Sequence, residues 1–286
     1  MHVRPQRTLR QEISFSGIGI HTGKKVTLTF CPAPEHSGIV FQRLDLPGQP
    51  TIPAAVEYVV DTSRSTTLGI GPCVVHTVEH VLAALHAYHI DNLFIQLTDC
   101  EPPIGDGSSA PFVNLIEAAG ILEQEATRCV ETIPHPIAFS QGNIHLVALP
   151  SHEYRISYTL HYPKTPVIRS QYLSLPITTK SFKEELCVCR TFALYEEITW
   201  LMDRGLIKGG SLDNAVVIKD DVILSKEGLR FHDEMVRHKI LDLVGDLSLV
   251  GFPFFAHIIA ICSGHQTNVA LGKLLMESMA TSGKVL

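Results

Sequence analysis

The sequence predicts an α+β fold built from two similar units, and three observations lead there. Strand-like and helical runs are interspersed along the whole chain. A weak internal repeat is present: a helix with a central histidine, then a strand, a Gly/Ser loop and a helix occur around His80 and again around His238. The composition is that of a core-forming protein, with 45% hydrophobic and 18% charged residues over 286 positions.

Taken in order, 11–15, 25–30 and 38–43 read as short strands between turns. Gly17-Ile-Gly-Ile-His-Thr-Gly23 separates the first two; its spacing fits no phosphate loop, and no helix follows it. Strands are expected at 56–60 and 65–69, a helix at 75–89 and a strand at 93–97. Ser108 or Ser109 caps a helix with Pro111 in its first turn, running to about residue 119. Residues 123–130 are polar and weakly patterned, which places a boundary between units 1–126 and 127–286. Beyond it, strands are expected at 136–139, 142–150, 155–162 and 171–175. A strand at 186–191, a helix at 193–204 and a strand at 215–218 have no counterpart in the first unit, so 186–218 reads as an insert. A helix at 232–247, a strand at 255–261, the loop Cys262-Ser-Gly-His265 and a helix at 269–280 complete the chain.

The formal net charge of -6, without a basic block, argues against nucleic acid as a partner. The basic start lacks an apolar segment behind it, so no secretory signal is read there. The most apolar stretch, 247–262, is broken by Gly251, Pro253 and His257, which argues against membrane insertion. Seven scattered cysteines fit reduced thiols in a cytoplasmic protein, and a monomer is expected.

The helix at 232–247 carries two lines of residues. Val236, Ile240, Leu243, Val244 and Leu247 form an apolar face. Glu234, His238, Asp242 and Asp246 share another face, each four residues beyond the last. Such a line is either a solvated face or one side of a site. An imidazole and a carboxylate one turn apart can reach the same metal ion. His76-Thr-Val-Glu-His80 matches the H-x-x-E-H pattern of inverted zinc peptidases. His80 shares a small-residue face with Ala83, Ala84 and Ala87, and Glu79 lies about 100° round from it. His80, His238 and Asp242 would form a His2-carboxylate set with a place for water, and Glu79 is offset as a general base requires. His265 could act as proton donor if Asp246 touches it, and Thr191 could donate to an oxyanion. Taken singly, His265 reads as a bystander, Thr191 as a helix cap and Lys239 as a solvated lysine.

Many short motifs then occur in one order: Thr77-Val-Glu-His80, Pro103-Ile-Gly-Asp-Gly-Ser108, Arg190-Thr-Phe192, Gly209-Gly-Ser211, Gly228-Leu-Arg-Phe231, Arg237-His-Lys239, Gly245-Asp246 and Ser263-Gly-His265. With these the chain resembles the UDP-3-O-acyl-N-acetylglucosamine deacetylase family of lipid A biosynthesis, over nearly its whole length. The resemblance implies two domains, each a β-sheet layer packed on two helices, with the helices sandwiched between the sheets and a small insert in each domain. It implies Zn2+ at His80, His238 and Asp242, with Fe2+ suiting the same ligands. Glu79 matches the general base, His265 the acid supported by Asp246, and Thr191 the residue that stabilises the tetrahedral intermediate. Phe192 matches a ring that touches substrate and Lys239 a contact to the UDP diphosphate. Ile198, Gly210 and Ser211 match an apolar passage for the acyl chain, where each buried CH2 contributes about 0.8 kcal/mol. Two departures stand out: Ser65 sits where many relatives carry cysteine, and His76 lies outside the family pattern.

Two rival readings are open from sequence: a peptidase using His76, Glu79 and His80, and a sugar-nucleotide binder without catalysis.

Overall fold

The computed structural model describes residues 2–281. Its first part holds strands β1 (His2–Leu9), β2 (Ile13–Ile18), β3 (Lys25–Pro32), β4 (Ile39–Arg43), β5 (Thr51–Pro53), β6 (Val59–Asp61), β7 (Thr67–Ile70) and β8 (Cys73–Val75), then helix α1 (Glu79–Ala87), β9 (Leu93–Leu97) and α2 (Ala110–Ala119). The second part holds β10 (Ile121–Thr132), β11 (Ile137–Gln141), β12 (Ile144–Pro150), β13 (Tyr154–Tyr162), β14 (Arg169–Pro176) and a short α3 (Thr179–Ser181). There follow β15 (Phe192–Leu194), α4 (Tyr195–Asp203), β16 (Val216–Lys219), β17 (Val222–Leu224), α5 (Glu234–Ser248), β18 (Phe254–Ile261) and α6 (His265–Thr281). The α+β class is as the sequence predicts.

Two large sheets form from these strands. One has the order β2-β3-β9-β4-β5; the other is seven-stranded, with β18 paired to β10, β12 and β13. Alternation decides which face each sheet buries. In β3, Val26, Leu28 and Phe30 point inward, and Leu28 lies opposite Leu97 of β9. In β18, Phe254, Ala256, Ile258 and Ala260 do the same. Helices fill the space between: α2 packs on β2 and on α1, α1 on α5, and α5 on β13, β14 and α6. The α1–α5 contact is the most extensive between helices, and its closeness depends on Gly245. A Cβ there would stand 2.1 Å from the Glu79 carbonyl oxygen.

Several expectations are corrected. Residues 123–130 form the middle of β10, which pairs antiparallel with β1, a strand absent from the sequence reading. Pro5 hid β1, yet proline is tolerated on an edge strand, and β1 lies at the sheet edge with a register shift between Pro5 and Arg7. The segment 186–191 is not a strand. A π-turn, Phe182–Leu186, leads into irregular chain. Cys187 and Cys189 are buried there, as alternation suggested, but Arg190 bonds Glu234 instead of a neighbouring strand. Helix α1 begins at Glu79, four residues late, because Thr77 takes a left-handed φ of 54°. Helix α6 begins at His265, four residues early. All seven cysteines are free, and no described helix is long and apolar enough to cross a membrane.

Candidate active site

Helices α1 and α5 bring their polar residues together in the interior. Glu234, His238, Asp242 and Asp246 are 1%, 2%, 3% and 0% exposed, so the stripe on α5 is not a solvated face. Glu234 at its start is structural. It forms a buried ion pair with Arg190 at 2.9 Å and accepts the Arg190 and Arg230 backbone N–H groups.

The next two residues face His80. The His238 and His80 rings meet edge to face with centroids 5.0 Å apart. Asp242 Oδ1 lies 3.3 Å from His238 Nε2 and 3.7 Å from His80 Nε2. One ligand atom from each of the three residues falls within 4.8 Å of the others. His238 Nδ1 is 3.1 Å from the Cys189 carbonyl, to which it donates, so the Nε2 lone pair is turned toward Asp242. Asp242 Oδ2 accepts from Lys239 Nζ at 2.6 Å, while Asp242 Oδ1 is buried without a hydrogen-bond partner. His80 Nδ1 is a second buried atom without one. Burial, then the neighbouring His238, lowers the His80 pKa to about 3. Burial works to raise Asp242, but His238 and Lys239 outweigh it and hold the carboxyl below its ordinary range. Two neutral imidazoles and an ionised carboxylate with an uncommitted oxygen are the donor set of a divalent cation, and they fit one.

Glu79 and His265 flank this trio. Glu79 Oε2 accepts the Thr66 backbone N–H at 3.0 Å, and Oε1 lies 3.9 Å from His265 Nε2. Burial raises Glu79 to about 8; the charge on His265 opposes this and Asp246 and Asp242 add to it. Burial would lower His265, but Asp246 and Glu79 outweigh it and raise the imidazole to about 9. The contact is direct: His265 Nδ1 stands 2.9 Å from Asp246 Oδ2. Asp246 also accepts from Thr66 Oγ1 at 2.5 Å and Asn268 Nδ2 at 2.8 Å. Thr66 and Asn268 are the site residues the sequence reading missed. Asn268 lies one turn after His265, a spacing visible only if the last helix is started at His265. Nothing in the 65–69 alternation singles out Thr66.

Thr191 and Phe192 line the same cleft as Glu79, His80, His238, Asp242 and His265. Thr191 does not cap a helix. Its N–H donates to Gly107 O at 2.8 Å and its carbonyl accepts from Val216 N at 2.9 Å, so the backbone is held on both sides. Its hydroxyl makes no hydrogen bond among the described residues. Gly107, at φ 86°, is required here, since a Cβ would fall 1.9 Å from Asn214 O. Ser109 has a related part: its hydroxyl donates to the His80 carbonyl at 2.8 Å rather than capping α2. Lys239 lines the cleft 5.6 Å above the Phe192 ring. Ile198, Gly210 and Ser211 do not line it: Ile198 is half-buried on α4, and the other two are exposed on the following loop. Ser65 is buried, with 4% exposure, next to Thr66. His76 lies outside α1, with Nδ1 3.0 Å from Thr67 Oγ1, and is not in the ligand trio. This removes the peptidase reading, which needs His76 and His80 one helical turn apart.

The family model described as UDP-3-O-acyl N-acetylglycosamine deacetylase matches residues 6–277. The chain is 54% identical to the UDP-3-O-acyl-N-acetylglucosamine deacetylase of Chlamydia pneumoniae over 277 residues, covering 96% of this chain and 98% of that one. It is 54% identical to the protein of the same name from Chlamydia caviae (96% and 98%) and 50% identical to that of Chlamydia trachomatis serovar L2 (96% of each). A match of this extent, over a chain that also assembles the His-His-Asp trio, shows that the protein belongs to the UDP-3-O-acyl-N-acetylglucosamine deacetylase family.

Proposed function

We propose that this protein hydrolyses the acetamide of UDP-3-O-acyl-N-acetylglucosamine, releasing acetate, the committed step of lipid A biosynthesis. One observation carries the reading: His80 and His238, 158 positions apart by their numbering, meet Asp242 with the Glu79 carboxylate and the His265 imidazole beside them. His80, His238 and Asp242 would hold the cation, Zn2+ or, with the same donors, Fe2+. When bound, such an ion polarises a carbonyl and brings the pKa of water down to about 7.

The chain's own groups supply the proton transfers. Glu79, raised toward neutrality by burial, takes the proton of the attacking water as the C–O bond forms. The Thr191 hydroxyl, uncommitted and fixed through its backbone, donates to the oxygen on which negative charge develops. His265, held charged by Asp246, protonates the leaving amine as the C–N bond breaks. Thr66 binds both carboxylates and so sets the separation of base and acid.

For substrate placement, Phe192 offers a ring beside His238, 6.4 Å between centroids. Lys239 reaches the UDP diphosphate if its ammonium serves Asp242 and a phosphate oxygen together, which three N–H donors permit. Ile198, Gly210 and Ser211 belong to the segment we assign to the acyl chain, where Trp200, Met202 and Leu212 are exposed apolar residues. All residues named come from one chain, so a monomer suffices. Seven free cysteines suit the cytoplasm.

The test is metal content and acetate release by wild type beside His238→Ala. The variant should lose both. Full metal content with undiminished turnover would refute the reading, and metal retained without any deacetylation in wild type would favour a binding protein with a structural ion.

A further inference from the structure

At the far end of the same two helices lies a second cavity of about 340 Å3, sharing no lining residue with the cleft. It is lined by the C-terminal end of α1, including Leu82, Leu85 and His86, and by Ser248 and Gly251 at the end of α5. His86 follows His80 by six residues, about 9 Å along the helix axis. The volume is at the lower end of the roughly 300–1,000 Å3 typical of small-molecule sites.

The polar wall carries one surplus positive charge. Arg4 of β1 and Arg128 of β10 stand directly opposite in the antiparallel ladder. Like charges so placed repel, and burial of the pair worsens this. One carboxylate, Asp91, serves both, and it is committed to Arg4. It accepts from Arg4 Nη1 at 2.6 Å, Arg4 Nη2 at 2.9 Å and the Arg7 backbone N–H at 2.9 Å. Arg128 comes no nearer to it than 3.9 Å. The Arg128 guanidinium makes one hydrogen bond among the described residues, from Nη2 to the Gly251 carbonyl. Its remaining donors are uncommitted.

Two histidines and a tyrosine in the wall add polar groups that are neutral and unengaged. Burial, then nearby charges, lowers His86 to about 3 and His89 to about 4, so both rings are uncharged. Neither ring makes a hydrogen bond among the described residues. The Tyr154 hydroxyl, packed against His86, is buried without a partner. The wall also carries apolar side chains, among them Ile39, Leu82, Leu85, Val130, Phe254 and Phe255.

We propose that this cavity is a second ligand site, for a small monoanionic amphiphile. Its head group pairs with Arg128 and its short apolar chain lies along Leu82, Leu85 and Phe254. A medium-chain carboxylate is the simplest molecule of that class. Because the site sits at the ends of α1 and α5, its occupation acts on the helices that carry His80 and Asp242.

The probe is decanoate, titrated calorimetrically into the full metal-loaded chain, with decan-1-ol as the uncharged control. The expected result is one equivalent bound by wild type, weakened at least about tenfold in Arg128→Gln and largely restored in Arg128→Lys, with decan-1-ol weaker than decanoate. Absence of binding, or equal affinity in wild type and Arg128→Gln, overturns the proposal. So does affinity that is lost in Phe192→Ala and kept in Arg128→Gln, because the probe then sits in the catalytic cleft.

Discussion

Glu79 and His265 are two titrating groups 3.9 Å apart whose surroundings suit them to the different tasks proposed for them. Glu79→Gln keeps size and the hydrogen bond from Thr66 but removes the basic oxygen. It should leave metal content unchanged and lower turnover by about 10²–10⁴-fold in an acetate-release assay. Loss of metal in that variant would mean that Glu79 serves as a ligand instead. His265 carries a pH signature. Its folded pKa, about 9, lies above the ordinary 6.5, so protonation favours the folded state. That stabilisation is complete below about 6.5 and disappears as pH rises through about 9. Denaturant unfolding of metal-free protein should therefore show stability falling over that window in wild type, and a smaller fall in His265→Asn, where the raised Glu79 carboxyl still contributes its own loss. At this scale the sequence was informative where spacing is informative. His238, Asp242 and Asp246 could be read from i, i+4 spacing, and Glu79 with His80 from a five-residue pattern. Thr66 could not, because its part comes from two hydrogen bonds that cross from strand to helix.

At the scale of elements, the site depends on how closely α1 and α5 approach. Gly245 faces the Glu79 carbonyl with no room for a methyl group. Gly245→Ala should push the helices apart, lower stability by about 1–3 kcal/mol and weaken metal binding, measurable together by thermal unfolding and metal titration. Unaltered metal affinity would show that the trio tolerates the shift. The Arg190–Glu234 pair fixes the chain that runs into Thr191, with both partners almost wholly buried. Arg190→Met leaves an uncompensated carboxylate and should destabilise the protein by about 3–5 kcal/mol in denaturant unfolding. Regular elements were legible where one period dominated, as in β3, β18 and α5. The segment 186–191 was not, since alternating buried cysteines look the same in a strand and in irregular chain held by side-chain bonds. β1 and β10 were also missed, one masked by Pro5 and the other by its polar residues. Among those polar residues, Arg128 lines a cavity.

At the scale of the molecule, two sheets enclose paired helices, and the candidate cleft opens where α1 meets α5. His80 comes from one side of that contact and His238 with Asp242 from the other. A cation held by all three ties the two sides together, so binding energy adds to folding energy. At free metal 1,000-fold above Kd the added stability is about 4 kcal/mol. Removing the metal with a chelator should lower Tm in wild type and leave it nearly unchanged in His80→Ala. The internal repeat raised the expectation that the two histidine-bearing helices face each other, and α1 and α5 do pack together, but it gave no sign that glycine lets them touch.

The central claim is that His80, His238 and Asp242 share one ion. X-ray absorption at the metal edge of the zinc-loaded protein tests it most directly. The expected spectrum has nitrogen and oxygen neighbours at about 2.0–2.2 Å and multiple-scattering features of two imidazoles. A sulfur neighbour at about 2.3 Å, or the signature of fewer than two imidazoles, would contradict it.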